Sequence, residues 1–238
     1  MKKPLDHVLE PSRPEKSGSS RKPGSLRIIG GQWRSRRLEV AGIPGLRPTP
    51  DRVRQTLFDW LQYFWAGQGS DLSGMRVLDA FAGSGALGLE AASRGASHVC
   101  FLEKDPSVSK VLAKNIAGFQ SGKLRLLAAD ALQAMPMLAH QAHVFDLVLL
   151  DPPFASGLGL RAAKLAIPLL SAQGLLYLES AQSWDQALQE ADEPLAGLLS
   201  KSFVLLRKAK AASLHYHLFR CQNDVSASPA QASNQVKP

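Results

Sequence analysis

The chain has very little cysteine. Its two thiols, Cys100 and Cys221, stand far apart in 238 residues. That excludes a disulfide framework and any closely spaced thiolate metal site. The six histidines show no paired ligand spacing, and no metal is expected. His215 and His217 alternate in LHYHLF, which reads as one half-exposed strand face, and Cys100 in HVCFLE reads as a small core residue. No apolar run approaches the roughly 18 residues of a membrane span. The opening stretch MKKPLDHVLEPSRPEKSGSS has basic residues with no apolar core behind them, and it contains acids. Neither a secretory nor an organellar leader is expected, so the expected location is cytoplasmic, with no membrane partner.

Acid is scarce in the first quarter of the chain. Residues 1–60 hold 13 Lys and Arg against 6 Asp and Glu, whereas the remaining 178 hold 15 against 14. Nearly all of the net charge of +8 therefore sits near the N-terminus. A basic appendage on a near-neutral body suits a polyanionic partner. A solubilising tail would explain Lys2 to Lys22, but explains the arginine-rich segment after them less well.

Residues 1–25 and 222–238 are rich in Pro, Ser and polar residues and read as disordered tails. Residues 26–70 read as a basic hairpin and helix. LRII and RRLEV flank the turn GGQWRS, giving a hairpin with a basic, Trp-bearing tip. In PTPDRVRQTLFDWLQYFW, Thr49 is a good N-cap and Pro50 a good first helical residue. Val53, Leu57, Trp60/Leu61 and Phe64 recur on one apolar stripe, with Arg52 and Arg54 off it. Residues 74–221 alternate strand and helix: RVLDAF, HVCFLEKD, KLRLLAAD, FDLVLLDPPF and GLLYLES read as strands. SFVLLRKAK and SLHYHLF read as a closing antiparallel pair. Continuous apolar strands between helices predict an α/β, Rossmann-like fold with a seven-stranded, mostly parallel sheet covered on both faces. The hairpin and helix form a small N-terminal extension. Nothing in the sequence indicates an oligomer, and a monomer is expected.

GSGALG, residues 83–88, follows the apolar run VLDAF and matches G-x-G-x-x-G. Gly83 and Gly85 allow a tight turn that a ligand can approach, and Glu103 at the next strand end can bind ribose hydroxyls. Dinucleotide domains share that pattern, so alone it decides little. Two features discriminate. Asp79, four residues before Gly83, aims a carboxylate at the turn. That suits a cation and is a poor neighbour for a pyrophosphate. S-adenosylmethionine carries an ammonium, a sulfonium and a ribose, and no phosphate. Further on, LLDPPF ends a strand with Asp151, two chain-stiffening prolines and the flat face of Phe154. Such a group can accept N–H bonds from a planar amine and stack on its ring.

D-x-F-x-G-x-G followed by D-P-P-F resembles the S-adenosylmethionine-dependent amino-methyltransferases. LRIIGGQWRSRRLEV, GLRPTPDRVRQTLFDWL, VLDAFAGSGALGLEAASRGA and LVLLDPPF, in this order, resemble the RsmD family of bacterial ribosomal RNA methyltransferases over about residues 26 to 220. The resemblance implies a class I methyltransferase fold and transfer of a methyl group from S-adenosylmethionine to N2 of one guanine in 16S ribosomal RNA. The substrate would be the RNA, the small ribosomal subunit or its assembly intermediate. Carried over by position, Asp79, Phe81, Gly83, Ser84, Gly85 and Leu87 would line the methionine part of the cofactor. Glu103, with Lys104 beside it, would bind the ribose. Asp130 and Ala131 would meet the adenine, although Asp130 also reads as a helix N-cap. Asp151, Pro152, Pro153 and Phe154 would form the catalytic patch. The family pattern has a glycine in the final hairpin where this chain has AKAASLHYHLF.

Arg34, Arg36, Arg37, Arg47, Arg52 and Arg54 are the candidate phosphate contacts, and Trp33 either stacks on an unpaired base or packs the hairpin onto the body. Arg52 and Arg54 could instead pair with acids of the main domain. Glu90 and Arg94, one helical turn apart, read as a surface pair. Rival readings are an amino-methyltransferase acting on DNA adenine or protein glutamine, a nicotinamide-dependent oxidoreductase, and a non-catalytic RNA-binding assembly factor.

Overall fold

The apolar strands assemble into one seven-stranded sheet. The computed structural model describes residues 26–43, 49–66, 72–154 and 157–222. The tail sequences 1–25 and 223–238, and Arg47, lie outside the described residues. The sheet order is β5 (Leu124–Leu127), β4 (His98–Leu102), β3 (Arg76–Asp79), β6 (Phe145–Leu150), β7 (Leu170–Ser180), β9 (Leu214–Cys221) and β8 (Phe203–Ala211). The first five run parallel, and β9 joins β7 and β8 antiparallel. The order reverses between β3 and β6, which opens a crevice at their carboxyl ends.

Alternation along each strand divides the core in two. Val77, Val99, Phe101, Leu147, Leu149, Leu175 and Tyr177 face α1 (Asp51–Ala66), α2 (Ala86–Ser93) and α3 (Pro106–Gly118). Leu78, Cys100, Leu102, Val148, Leu150, Leu176 and Leu178 face α4 (Ala131–His140), α5 (Leu158–Ala166), α6 (Trp184–Glu190) and α7 (Glu193–Ser202). Helix α7, spelled EPLAGLLSKS, was not anticipated; Asp192 caps it by accepting from the Leu195 N–H at 2.8 Å. Cys100 is buried, which raises its thiol to about 11. His217 corrects the expected half-exposed face. It is fully buried, its Nε2 accepts from the Trp184 N–H at 3.1 Å, and lost hydration lowers it to about 4.

The N-terminal element is built into the same core. β1 (Leu26–Arg27) pairs antiparallel with β2 (Arg37–Leu38), a shorter ladder than the sequence implied. Leu26, Ile28 and Leu38 pack in one cluster with Leu57, Leu61, Leu89 and Tyr216. The hairpin tip rests on the end of α2. Gln32 N–H donates to Ser93 O at 2.8 Å, and Trp33 N–H to Ser93 Oγ at 2.9 Å. Gly31, with φ of 74°, makes this approach possible, since a Cβ there would lie 2.0 Å from Ser93 O.

Glu90 and Arg94 correct another expectation. Glu90 is fully buried and accepts from Ile29 N–H at 2.7 Å, Gly30 N–H at 2.8 Å and Arg94 Nε at 2.7 Å. Arg54 lies 3.9 Å from the same carboxylate, is itself fully buried, and donates to Arg27 O and Asp51 Oδ1. This ionic cluster fastens hairpin, α1 and α2 to one another.

Candidate active site

Four strand ends place acids in one row. Phe101, Val77, Leu149 and Tyr177 share the face that packs on α1 to α3. Two residues on from each, at strand periodicity, come Glu103, Asp79, Asp151 and Glu179. The row crosses β4, β3, β6 and β7 at the crevice.

The glycine turn closes one side. Gly83 and Gly85 take φ of 52° and 78°, which lets the chain leave β3 and enter α2 within a few residues. Glu103 holds the turn. Its Oε2 accepts from Gly83 N–H and its Oε1 from Asp105 N–H, both at 2.8 Å. Asp79 is 1% exposed and accepts from Gly88 N–H at 2.9 Å. Burial raises its carboxyl to about 7, against the Gly88 bond and with help from Asp151 and Glu103. Asp151, half-buried, is raised to about 6 by burial, opposed by hydrogen bonds from Thr49 and Glu179.

A cleft of about 620 Å³ opens on this row, lined by Asp79, Phe81, Gly83, Ser84, Leu87, Glu103, Lys104 and Ala131 together with Asp151, Pro152, Pro153 and Phe154. The sequence had named all twelve. Gly85 and Asp130 lie behind the lining. Gly85 shapes the turn, while Asp130 caps α4 by accepting from Leu132 N–H at 2.8 Å and sits 3.9 Å from Lys104 Nζ. Phe154 is 56% exposed at the rim. Among the lining residues not foreseen are Ile43, Thr49 and, from the final hairpin, Ser213. Thr49 is not the helix cap. The Pro50 carbonyl accepts the first helical bonds, from Val53 and Arg54, and Thr49 Oγ1 donates to Asp151 Oδ2 at 3.1 Å.

The arginine candidates separate. Arg34, Arg37 and Arg52 are exposed. Arg54 is 0% exposed and cannot reach a phosphate. Arg36 donates to Gly118 O and lies over the Phe119 ring. Trp33 is half-buried against Phe119, ring centroids 4.4 Å apart, so it packs the hairpin onto α3. A basic edge was missed: Arg207, Lys208 and Lys210 are exposed on β8, with Arg207 over the rings of Tyr63 and Phe64. Among the described residues, no group of His, Cys, Asp and Glu could hold a metal, and no helix is long and apolar enough to cross a membrane.

An acid row, a glycine turn and D-P-P-F at the switch point of this sheet define an S-adenosylmethionine-dependent methyltransferase of Rossmann-like, class I type. Comparison with known proteins narrows the class. Residues 26–196 match the family described as Conserved hypothetical protein 95. Ribosomal RNA small subunit methyltransferase D of Escherichia coli K12 is 44% identical over 170 residues, which is 71% of this chain and 79% of that protein. The protein of the same name from Haemophilus influenzae is 36% identical over 201 residues, 83% of this chain and 94% of its own. The solved structure of a candidate methyltransferase, yhhF of Escherichia coli, matches with a TM-score of 0.66 at 37% identity, covering 84% of this chain and 99% of that one. The chain belongs to the ribosomal RNA small subunit methyltransferase D family.

Proposed function

We propose that this chain methylates the exocyclic N2 of a guanine in 16S ribosomal RNA, in the cytoplasm and as a monomer. The observation that carries the reading is the position of D-P-P-F, whose Asp151 shares one cleft with the glycine turn and Asp79. S-adenosylmethionine, when bound, supplies a methyl group already activated on a sulfonium. The residues fit that group: a buried, cation-seeking Asp79, a turn with open backbone, and Glu103 placed for a ribose. Lys104 and Ala131 flank the adenine end, with Asp130 behind them. The organisation follows the same division, with residues 26–70 engaging RNA and 74–221 carrying the chemistry.

A guanine amine is a poor nucleophile because its lone pair is delocalised into the ring. Asp151 accepts an N–H bond from it, orients it and takes the proton it gives up on methylation. Phe154, exposed at the rim, stacks on the base, which must leave its helix to reach the cleft. Most of the acceleration comes from positioning. Arg34, Arg37 and Arg52 hold phosphates.

The test is methyl transfer from radiolabelled S-adenosylmethionine to small subunits lacking the modification, free 16S RNA, DNA and bulk protein, with nucleoside analysis. Label in N2-methylguanosine from subunits or 16S RNA is expected. Label only in DNA or protein would refute the substrate, and no label with cofactor bound would point to a non-catalytic assembly factor.

A further inference from the structure

Glu179 belongs to neither the glycine turn nor D-P-P-F. It is 2% exposed at the end of β7. β6 and β7 pair Leu149 with Tyr177 and Leu150 with Leu178, so the next rung sets Asp151 beside Glu179. The two carboxyl groups are therefore neighbours, near enough for each to perturb the other. Tyr177 OH donates to Glu179 Oε1 at 2.9 Å, and Thr49 Oγ1 to Asp151 Oδ2 at 3.1 Å. Two ionised carboxylates this close repel, whereas a proton on one of them lets the pair share a hydrogen bond. Glu179 is the more enclosed of the two; burial and Asp151 hold its carboxyl well above the usual range. The proton therefore resides on Glu179, giving a chain from Tyr177 through Glu179 to Asp151, with Thr49 beside both carboxyls.

Glu179 also lines a second cleft, of about 630 Å³, on the far side of Pro152, Pro153 and Phe154. Asp151 faces the cofactor cleft, so the pair sits between the two. The titratable and charged groups around Glu179 are Asp151 on β6, Asp79 beyond it on β3, Tyr177 on its own strand and Tyr216 opposite it on β9. Across the second cleft stand Arg161 of α5, Glu190 of α6 and Asp192.

We propose that Glu179 is a positioning residue for methyl transfer. As a neutral carboxylic acid it donates a hydrogen bond to the Asp151 carboxylate and, with Thr49, fixes the free lone pairs of that carboxylate toward the target amine. Thr49 carries the N-terminal element into the same device. The role in transfer rests on the reaction proposed above; the protonation of the pair does not.

Two measurements test it. The first is infrared difference spectroscopy of wild type against Glu179→Gln near neutral pH, without RNA. A protonated carboxyl C=O band present only in wild type is expected, and its absence overturns the proposal. The second is the pH profile of kcat/KM on the RNA that accepts label. Wild type should lose activity on the alkaline side as Glu179 ionises. In Glu179→Gln the amide N–H replaces the donor, so kcat stays within about threefold and the alkaline limb disappears. Glu179→Ala should lose kcat on the order of 100-fold while S-adenosylhomocysteine affinity holds. Identical profiles for wild type and Glu179→Gln, or an unchanged kcat in Glu179→Ala, overturn the positioning role. Wild type inactive on every RNA refutes the substrate reading instead, and the infrared band then decides the pair by itself.

Discussion

Removing the Glu90 carboxylate should cost more stability than any single truncation in the cofactor cleft. The side chain is fully buried, with two backbone N–H groups and the Arg94 guanidinium within 2.8 Å. Arg54, also fully buried, has no hydrogen bond at Nε or Nη1 among the described residues, and its pairing with Glu90 at 3.9 Å compensates that side of its charge. Taking one partner from a buried ion pair costs about 3–5 kcal/mol. The two amides of the hairpin add about 1 kcal/mol or more each if water does not replace the acceptor. Glu90→Ala should therefore lose at least about 4 kcal/mol. That is a large part of an ordinary domain's 5–15 kcal/mol, and with a urea m of about 2 kcal/mol/M it moves the midpoint by about 2 M. Arg54→Met removes a buried cation whose closer partners are Asp51 and the Arg27 carbonyl, and leaves Glu90 with three donors, so it should cost less than Glu90→Ala. The double variant Glu90→Gln with Arg54→Met should lose less than the sum of its parts. Urea denaturation followed by far-UV circular dichroism reads all of these. A loss below about 1 kcal/mol for Glu90→Ala, or a larger loss for Arg54→Met than for Glu90→Ala, would refute the reasoning.

Three further outcomes follow from the geometry. Asp79 titrates at about 7 in the fold and 3.8 outside it, so native stability is greatest below the lower value and is lost as pH rises through the higher one. Asp79→Asn removes that loss: relative to wild type it should gain up to about 4 kcal/mol at about pH 8 but only about 1.5 kcal/mol at about pH 5, while losing cofactor affinity. Equal urea midpoint differences at the two pH values would contradict it. Ala212 turns the final hairpin with φ of 54°, where the family pattern has glycine nearby, so Ala212→Gly should stabilise the fold by about 0.5 kcal/mol; a lower Tm would count against the strain. Replacing Arg34, Arg37 and Arg52 together with Ala should weaken RNA binding and flatten the plot of log affinity against log salt by about 0.7–0.9 per residue, with cofactor binding kept; an unchanged slope would move the RNA elsewhere, for instance to the basic edge of β8.

Much of the site was legible because it is local. D-P-P-F, the glycine turn and their strand ends lie within short stretches, and a parallel α/β sheet brings strand ends to one edge whatever the side chains elsewhere. Asp79, Glu103 and Asp151 could thus be placed from spacing. Glu179 had the same signal, an acid two residues after an inward-facing aromatic, but nothing in GLLYLES says that its strand borders the one ending in Asp151. Thr49 was misread because a Thr before Pro looks like a cap, and its true partner lies 102 residues on. Glu90 was taken for a surface residue because charge ordinarily signals exposure, while Arg54 was read either as a phosphate contact or as paired with an acid of the main domain; tertiary packing selects the second and shows that Glu90 is that acid. Helix α7 was missed because its short apolar pattern runs straight into β8.

The measurement that bears most directly on the site is Asp151→Ala, assayed in parallel for methyl transfer to unmodified small subunits or 16S RNA and for S-adenosylhomocysteine binding by calorimetry. If Asp151 orients the target amine, transfer of label into N2-methylguanosine falls to background while cofactor affinity stays within about threefold. Turnover like that of wild type would contradict the assignment of Asp151, and with it the reading of D-P-P-F as the place where the amine is held.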